Sequence, residues 1–93
     1  MATTMTAEVT FEEIREAARF RRDLGDGFCL MIYDGVVFMF LNQEYLWSRA
    51  DLFRPERATN AVRDGNRVRL FVQNGSDDRE ILDAPITTGY NLH

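Results

Sequence analysis

The pattern at the start of the chain is helical. At 100° per residue, Phe11, Ile14, Ala17, Ala18, Phe20 and Leu24 share one half of a helix circumference, while Glu12, Arg15, Glu16, Arg19, Arg22 and Asp23 take the other. Thr10 and Glu13 have the spacing of a capping box, with Val9 and Ile14 at the hydrophobic-staple positions. Glutamates lead and arginines follow, as the helix macrodipole favours, and Gly25 suits a left-handed stop. The pattern predicts an amphipathic helix over residues 10–24, preceded by a flexible N-terminus over residues 1–9.

The period then changes. Two apolar runs, 28–33 and 36–41, flank Asp34-Gly35, a pair suited to a type I′ turn because both central residues take positive φ. Taken literally, that turn pairs Tyr33 with Val36, Met31 with Phe38 and Cys29 with Phe40 on one face. On the other it pairs Ile32 with Val37, Leu30 with Met39 and Phe28 with Leu41. Both faces of this hairpin are apolar, so both must be covered.

Residues 42–53 are ambiguous between short helix and strand: Leu46, Ala50 and Phe53 suit a helix, Tyr45 and Trp47 a strand, and irregular or short helical structure is the favoured reading. Residues 55–63 suit either a helix opening at Pro55, with Ala58, Ala61 and Val62 inward, or a strand entering a turn at Asp64-Gly65. Residues 67–73 alternate, with Val68, Leu70 and Val72 inward and Arg67, Arg69, Phe71 and Gln73 outward. A turn at 74–78 leads to a short returning strand, 79–82, and then an edge segment or tail. The expected architecture is α+β: the N-terminal helix packed on a mainly antiparallel sheet of four to five strands built from hairpins, in one domain over residues 10–93.

Burial ties this pattern to function. Leaving one face of the first hairpin wet would forgo about 9 to 18 kcal/mol, an upper estimate. That is comparable to the whole net stability of a small domain, about 5 to 15 kcal/mol. The helix can cover one face. The other needs Tyr45, Leu46, Trp47, Leu52 and Phe53 folded back over it, or a second copy in a homodimer.

Composition narrows the classes. At 93 residues, 45% apolar and 28% charged, the chain is an ordinary globular domain. The net charge of −4 disfavours nonspecific attraction to nucleic acid or anionic lipid. One cysteine, no basic-plus-apolar leader and no apolar run long enough for a bilayer point to a reducing, cytoplasmic setting without a membrane span. All eleven basic residues are arginine, which either forked anion recognition or the codon usage of a GC-rich genome would produce.

Little chemistry stands out. Cys29 lies in an apolar strand, and the single histidine, His93, is the last residue, so nucleophile and base are not paired in sequence. Glu12-Glu13 belongs to a helix start and Asp77-Asp78 to a solvated turn. One His and one Cys make no usual zinc site, and Asn74, Ser76, Asp78 and Glu80 lack the spacing of an EF-hand. No phosphate-binding glycine loop is present, so neither a catalytic residue nor a cofactor or metal ligand is assigned.

Two residue sets have the chemistry of binding surfaces. Tyr45, Trp47, Arg49, Phe53 and Arg54 are types that anchor protein interfaces. Arg67, Arg69 and Phe71, on one strand face, are types that hold single-stranded nucleic acid. The sequence therefore leads to a small non-enzymatic protein-binding or regulatory factor, acting as a homodimer. Accessory or inhibitor proteins of phages and mobile elements are factors of this kind. A single-stranded nucleic-acid binder is the alternative.

Overall fold

The computed structural model describes residues 11–88; the capping-box threonine, the staple valine and the last five residues lie outside them. Among these residues, one helix, α1 (Phe11–Ala17), precedes seven strands: β1 (Phe20–Gly25), β2 (Phe28–Tyr33), β3 (Val36–Leu41), β4 (Glu44–Arg49), β5 (Ala58–Asp64), β6 (Arg67–Asn74) and β7 (Asp77–Pro85). The strands form two antiparallel meanders, β1-β2-β3-β4 and β5-β6-β7. The fold is α+β with antiparallel sheets, mainly β, and among the described residues it has seven strands rather than four or five.

Two-residue turns build both sheets. Asp34 and Gly35 have φ of 55° and 76°, and the β2–β3 register is the one that a type I′ turn dictates, Tyr33 on Val36 through Phe28 on Leu41. Asp26-Gly27 makes the same turn between β1 and β2, and Asn42-Gln43 makes it between β3 and β4 without a glycine. A Cβ at Gly27 would collide with the Asn42 side chain, and the Asn42 N–H donates to the Gly27 carbonyl at 2.8 Å, so these two turns need glycine to meet. In the second sheet, Gly65 and Gly75 open the turns after β5 and β6.

The expected long helix is corrected. It stops at Ala17, buries only Ile14, and is not clearly amphipathic; Phe20 to Gly25 is an edge strand. Phe20 and Leu24 are four residues apart, a spacing that serves one helix face or one strand face equally. Arg22, between them on the inward row, concealed the alternation. Its head reaches Asn60 Oδ1 at 2.6 Å, lies 5.4 Å from the Phe20 ring centroid, and so leaves its stem to cover the core edge. Gly25 is part of a bulge and turn rather than a helix stop.

Residues 44–49 are likewise strand, not the irregular or short helical structure favoured above. Residues 55–57 form a single 3-10 turn and β5 begins at Ala58. Here a bulge at Thr59 turns both Ala58 and Ala61 inward, imitating helical spacing, while Val62 points to solvent.

Three layers result. Phe28, Leu30, Ile32, Val37, Met39 and Trp47 of the four-stranded sheet pack against Ala61, Val68, Leu70, Leu82, Ala84 and Ile86. On the opposite face, Met31, Phe38 and Phe40 are closed by Ile14, with Phe11 and Ala18 beside them. The hairpin read as greasy on both sides is covered on both sides within one chain, except at its turn end, where Tyr33 stays 40% exposed. The cover of the second face is mainly the sheet of residues 58–85, helped by Trp47, Leu46 and Leu52; Tyr45 and Phe53 stay 42% and 44% exposed.

Candidate interaction surface

A bulge in β4 separates the first set of candidates. Met39 faces Trp47 and Phe40 faces Tyr45, so Leu46 is the extra residue and its two neighbours point to opposite faces. Trp47 enters the inter-sheet core, 7% exposed, and its indole N–H donates to the Ile86 carbonyl at 2.7 Å. Tyr45 stays on the helix side, its ring 6.5 Å from that of Phe40 and its hydroxyl 2.9 Å from Ser48 Oγ. Arg49 is held by Asp51 through two hydrogen bonds, at 2.8 and 3.1 Å, and the Asp51 carboxyl is pulled below the ordinary range, first by that bond.

Phe53 and Arg54 lie on the connector between the sheets, residues 50–57. Leu52 packs into the core and Pro55 is buried, so the connector is pinned on both sides of its aromatic residue. Arg54 has φ 47° and ψ 53°, the left-handed region, immediately before a proline, where the chain is further restricted. Its carbonyl accepts the Arg57 N–H at 3.0 Å, closing the 3-10 turn. Holding a non-glycine residue there costs on the order of 1–3 kcal/mol. The arginine head lies 5.4 Å from the Phe53 ring centroid, and Arg79, arriving from β7, lies 4.7 Å from the same centroid. Phe53 adjoins Arg54 in sequence, whereas Arg79 is 26 residues away and reaches the ring only through the fold.

The second set, Arg67, Arg69 and Phe71, does share the outer face of β6. Its cations are occupied. Arg67 donates to Asp83 Oδ1 at 2.9 Å and to the Asp83 carbonyl at 3.0 Å. Arg69 grips Glu80 with two bonds, at 3.1 and 3.3 Å, which raises its pKa further, and lies 5.4 Å from the Phe71 ring centroid. A phosphate would have to displace a carboxylate from each. Glu80 is also drawn out of the oxygen-rich run at 74–80, and among the described residues no three His, Cys, Asp or Glu side chains group as metal ligands. No helix in them is long and apolar enough to cross a membrane.

A cleft of about 500 Å³ lies on the helix side, lined by Phe11, Arg15, Arg21, Asp23, Cys29 and the meeting turns at 26–27 and 42–43. Its nucleophile is suppressed: burial pushes the Cys29 thiol up, the Asp23 carboxylate adds to this, and Arg21 only partly opposes it. The thiol therefore keeps its proton at neutral pH and attacks slowly. Iodoacetamide should modify Cys29 more slowly in the folded protein than in denaturant, with the folded rate rising only at pH above the ordinary thiol range. Because the folded thiol holds a proton that the unfolded one loses first, this group's contribution to stability is intact below the ordinary thiol pKa. It declines as pH rises through the elevated one. Compared with family models, curated proteins and solved structures, the chain matches none.

Proposed function

We propose that this protein is a small non-enzymatic binding factor, regulatory or inhibitory in effect, that meets a partner protein through the connector between its two sheets. The observation that carries the reading is Phe53: a large aromatic ring, 44% exposed, with two guanidinium groups 5.4 and 4.7 Å from its centroid, on a connector held by Leu52 and Pro55. Aromatic side chains, phenylalanine included, and arginine are enriched in protein interfaces, and a segment already fixed in shape loses little entropy on binding. Strained, non-glycine backbone also concentrates where a protein binds or switches.

A ribbon face left uncovered would require a second copy to bury it. With both faces covered inside the chain, the supported form of this reading is a monomer that engages a different protein. Light scattering on a sizing column checks it, and a stable dimer would restore the second copy as the partner. A photoreactive phenylalanine analogue at position 53 tests the surface itself. It should yield a discrete adduct in extract of the source organism, whereas the analogue at Val62, an exposed residue on the far face of β5, should not. Equal labelling from both positions, or from neither, would remove the reading.

A further inference from the structure

We propose, resting on the binding role above, that the connector receives an acidic segment of its partner, with carboxylates on Arg54 and Arg79 and an apolar side chain against Phe53. The first support is a contrast within the molecule. The chain has four more acidic than basic residues, and of its eleven arginines five, Arg15, Arg49, Arg63, Arg67 and Arg69, are matched to carboxylates at 2.7 to 3.1 Å, whereas Arg54 and Arg79 are among those that are not and share one aromatic ring. Arg54 and Arg79 are exposed, and among the described residues neither has a carboxylate within ion-pair distance, although Glu56, Asp77 and Asp78 are close in sequence.

The second support is chemical. An arginine held over an aromatic ring keeps N–H donors free for a carboxylate fork, and the ring beside it desolvates the pair. Two such arginines flanking one ring form a site for alternating acidic and apolar side chains. Nucleic acid fits less well. A polyanion gains affinity in proportion to the phosphates neutralised, and here a patch of very few cations sits on a chain of net charge −4.

Fluorescence anisotropy tests the inference with four labelled probes: a peptide of alternating glutamate and phenylalanine-containing spacer, the same peptide with glutamine for glutamate, an oligo-lysine peptide, and a single-stranded oligonucleotide. The glutamate peptide should bind best, and added salt should weaken it. Arg54→Gly removes one guanidinium while relieving the positive φ, so the fold is retained; Arg79→Gln removes the other. Each should weaken the glutamate peptide by about tenfold. The control Arg67→Gln with Arg69→Gln should leave it unchanged. Equal binding of the glutamine peptide, indifference to both connector variants, or tighter binding of the oligonucleotide would overturn the proposal. If the peptide fails while position 53 still photolabels a partner protein, the acidic segment is wrong and the binding role survives; failure of both experiments removes both.

Discussion

Replacing Trp47 by alanine is expected to cost about 3–5 kcal/mol, which is about a fifth or more of the net stability of a domain this size. The residue is both core and clasp. Its ring lies among Met39, Leu30 and the second sheet, and its N–H is bonded to the Ile86 carbonyl, while the Ile86 N–H donates to the Asn66 carbonyl at 2.6 Å. The segment just after β7 is thus tied to β4 and to the turn opening β6. Denaturant titration of the alanine variant should show the full loss. A Trp47→Phe variant keeps most of the apolar area but leaves the carbonyl unmatched, so about 1–3 kcal/mol should go. If the phenylalanine variant were as stable as the parent, the clasp would contribute nothing.

Phe40→Ala should cost a similar amount, about 3–5 kcal/mol, with a different signature. Phe40 is fully buried on the helix side, its ring edge-on to Phe11 with centroids 5.1 Å apart and 6.4 Å from Phe38. A seven-residue helix does not persist in water unaided, so α1 exists because Ile14 and Phe11 have this surface to lie on. Melting temperature should drop by about 4–8 °C for each kcal/mol lost. Amide exchange in α1 should accelerate in Phe40→Ala out of proportion to the rest, whereas Trp47→Ala should loosen the contact between the sheets. Uniform acceleration in both variants would show that the two cores unfold as one unit.

Much of the second half was legible. Alternation at Val68, Leu70 and Val72 and the turn cluster around Gly75 marked the β6–β7 hairpin, although β7 runs Asp77–Pro85 rather than over 79–82, and β5 stayed open between helix and strand. The first hairpin was legible to the residue, because a two-residue turn with positive φ at both centres leaves one register. The misreadings share a cause. Phe20 with Leu24, and Ala58 with Ala61, are spaced as on a helix, yet lie on strands. In one case an arginine occupies the intervening inward position, and in the other a bulge adds a residue. Asp26-Gly27 is as strong a hairpin signal as Asp34-Gly35, but it stood next to Gly25 at the end of an apparent helix and was absorbed into the helix stop. The β3–β4 turn, Asn42-Gln43, carries no glycine at all, so residues 44–49 lost their strand signal.

The candidate site was divided in the same way. Residue types alone marked Tyr45, Trp47, Arg49, Phe53 and Arg54 as one group. Folding sends Trp47 into the core, sets Arg49 on Asp51, and keeps Tyr45 against Phe40. Only Phe53 and Arg54 remain together, joined by Arg79 from β7.

Chain order by itself determined that a two-faced apolar ribbon sits in the middle of this protein and must be clamped from both sides, because side-chain period and turn stereochemistry are local properties. Which pieces do the clamping, and which aromatic side chains are left exposed, was decided by tertiary structure. One-residue bulges reverse the face a side chain occupies, and their positions are set by packing between segments far apart in sequence.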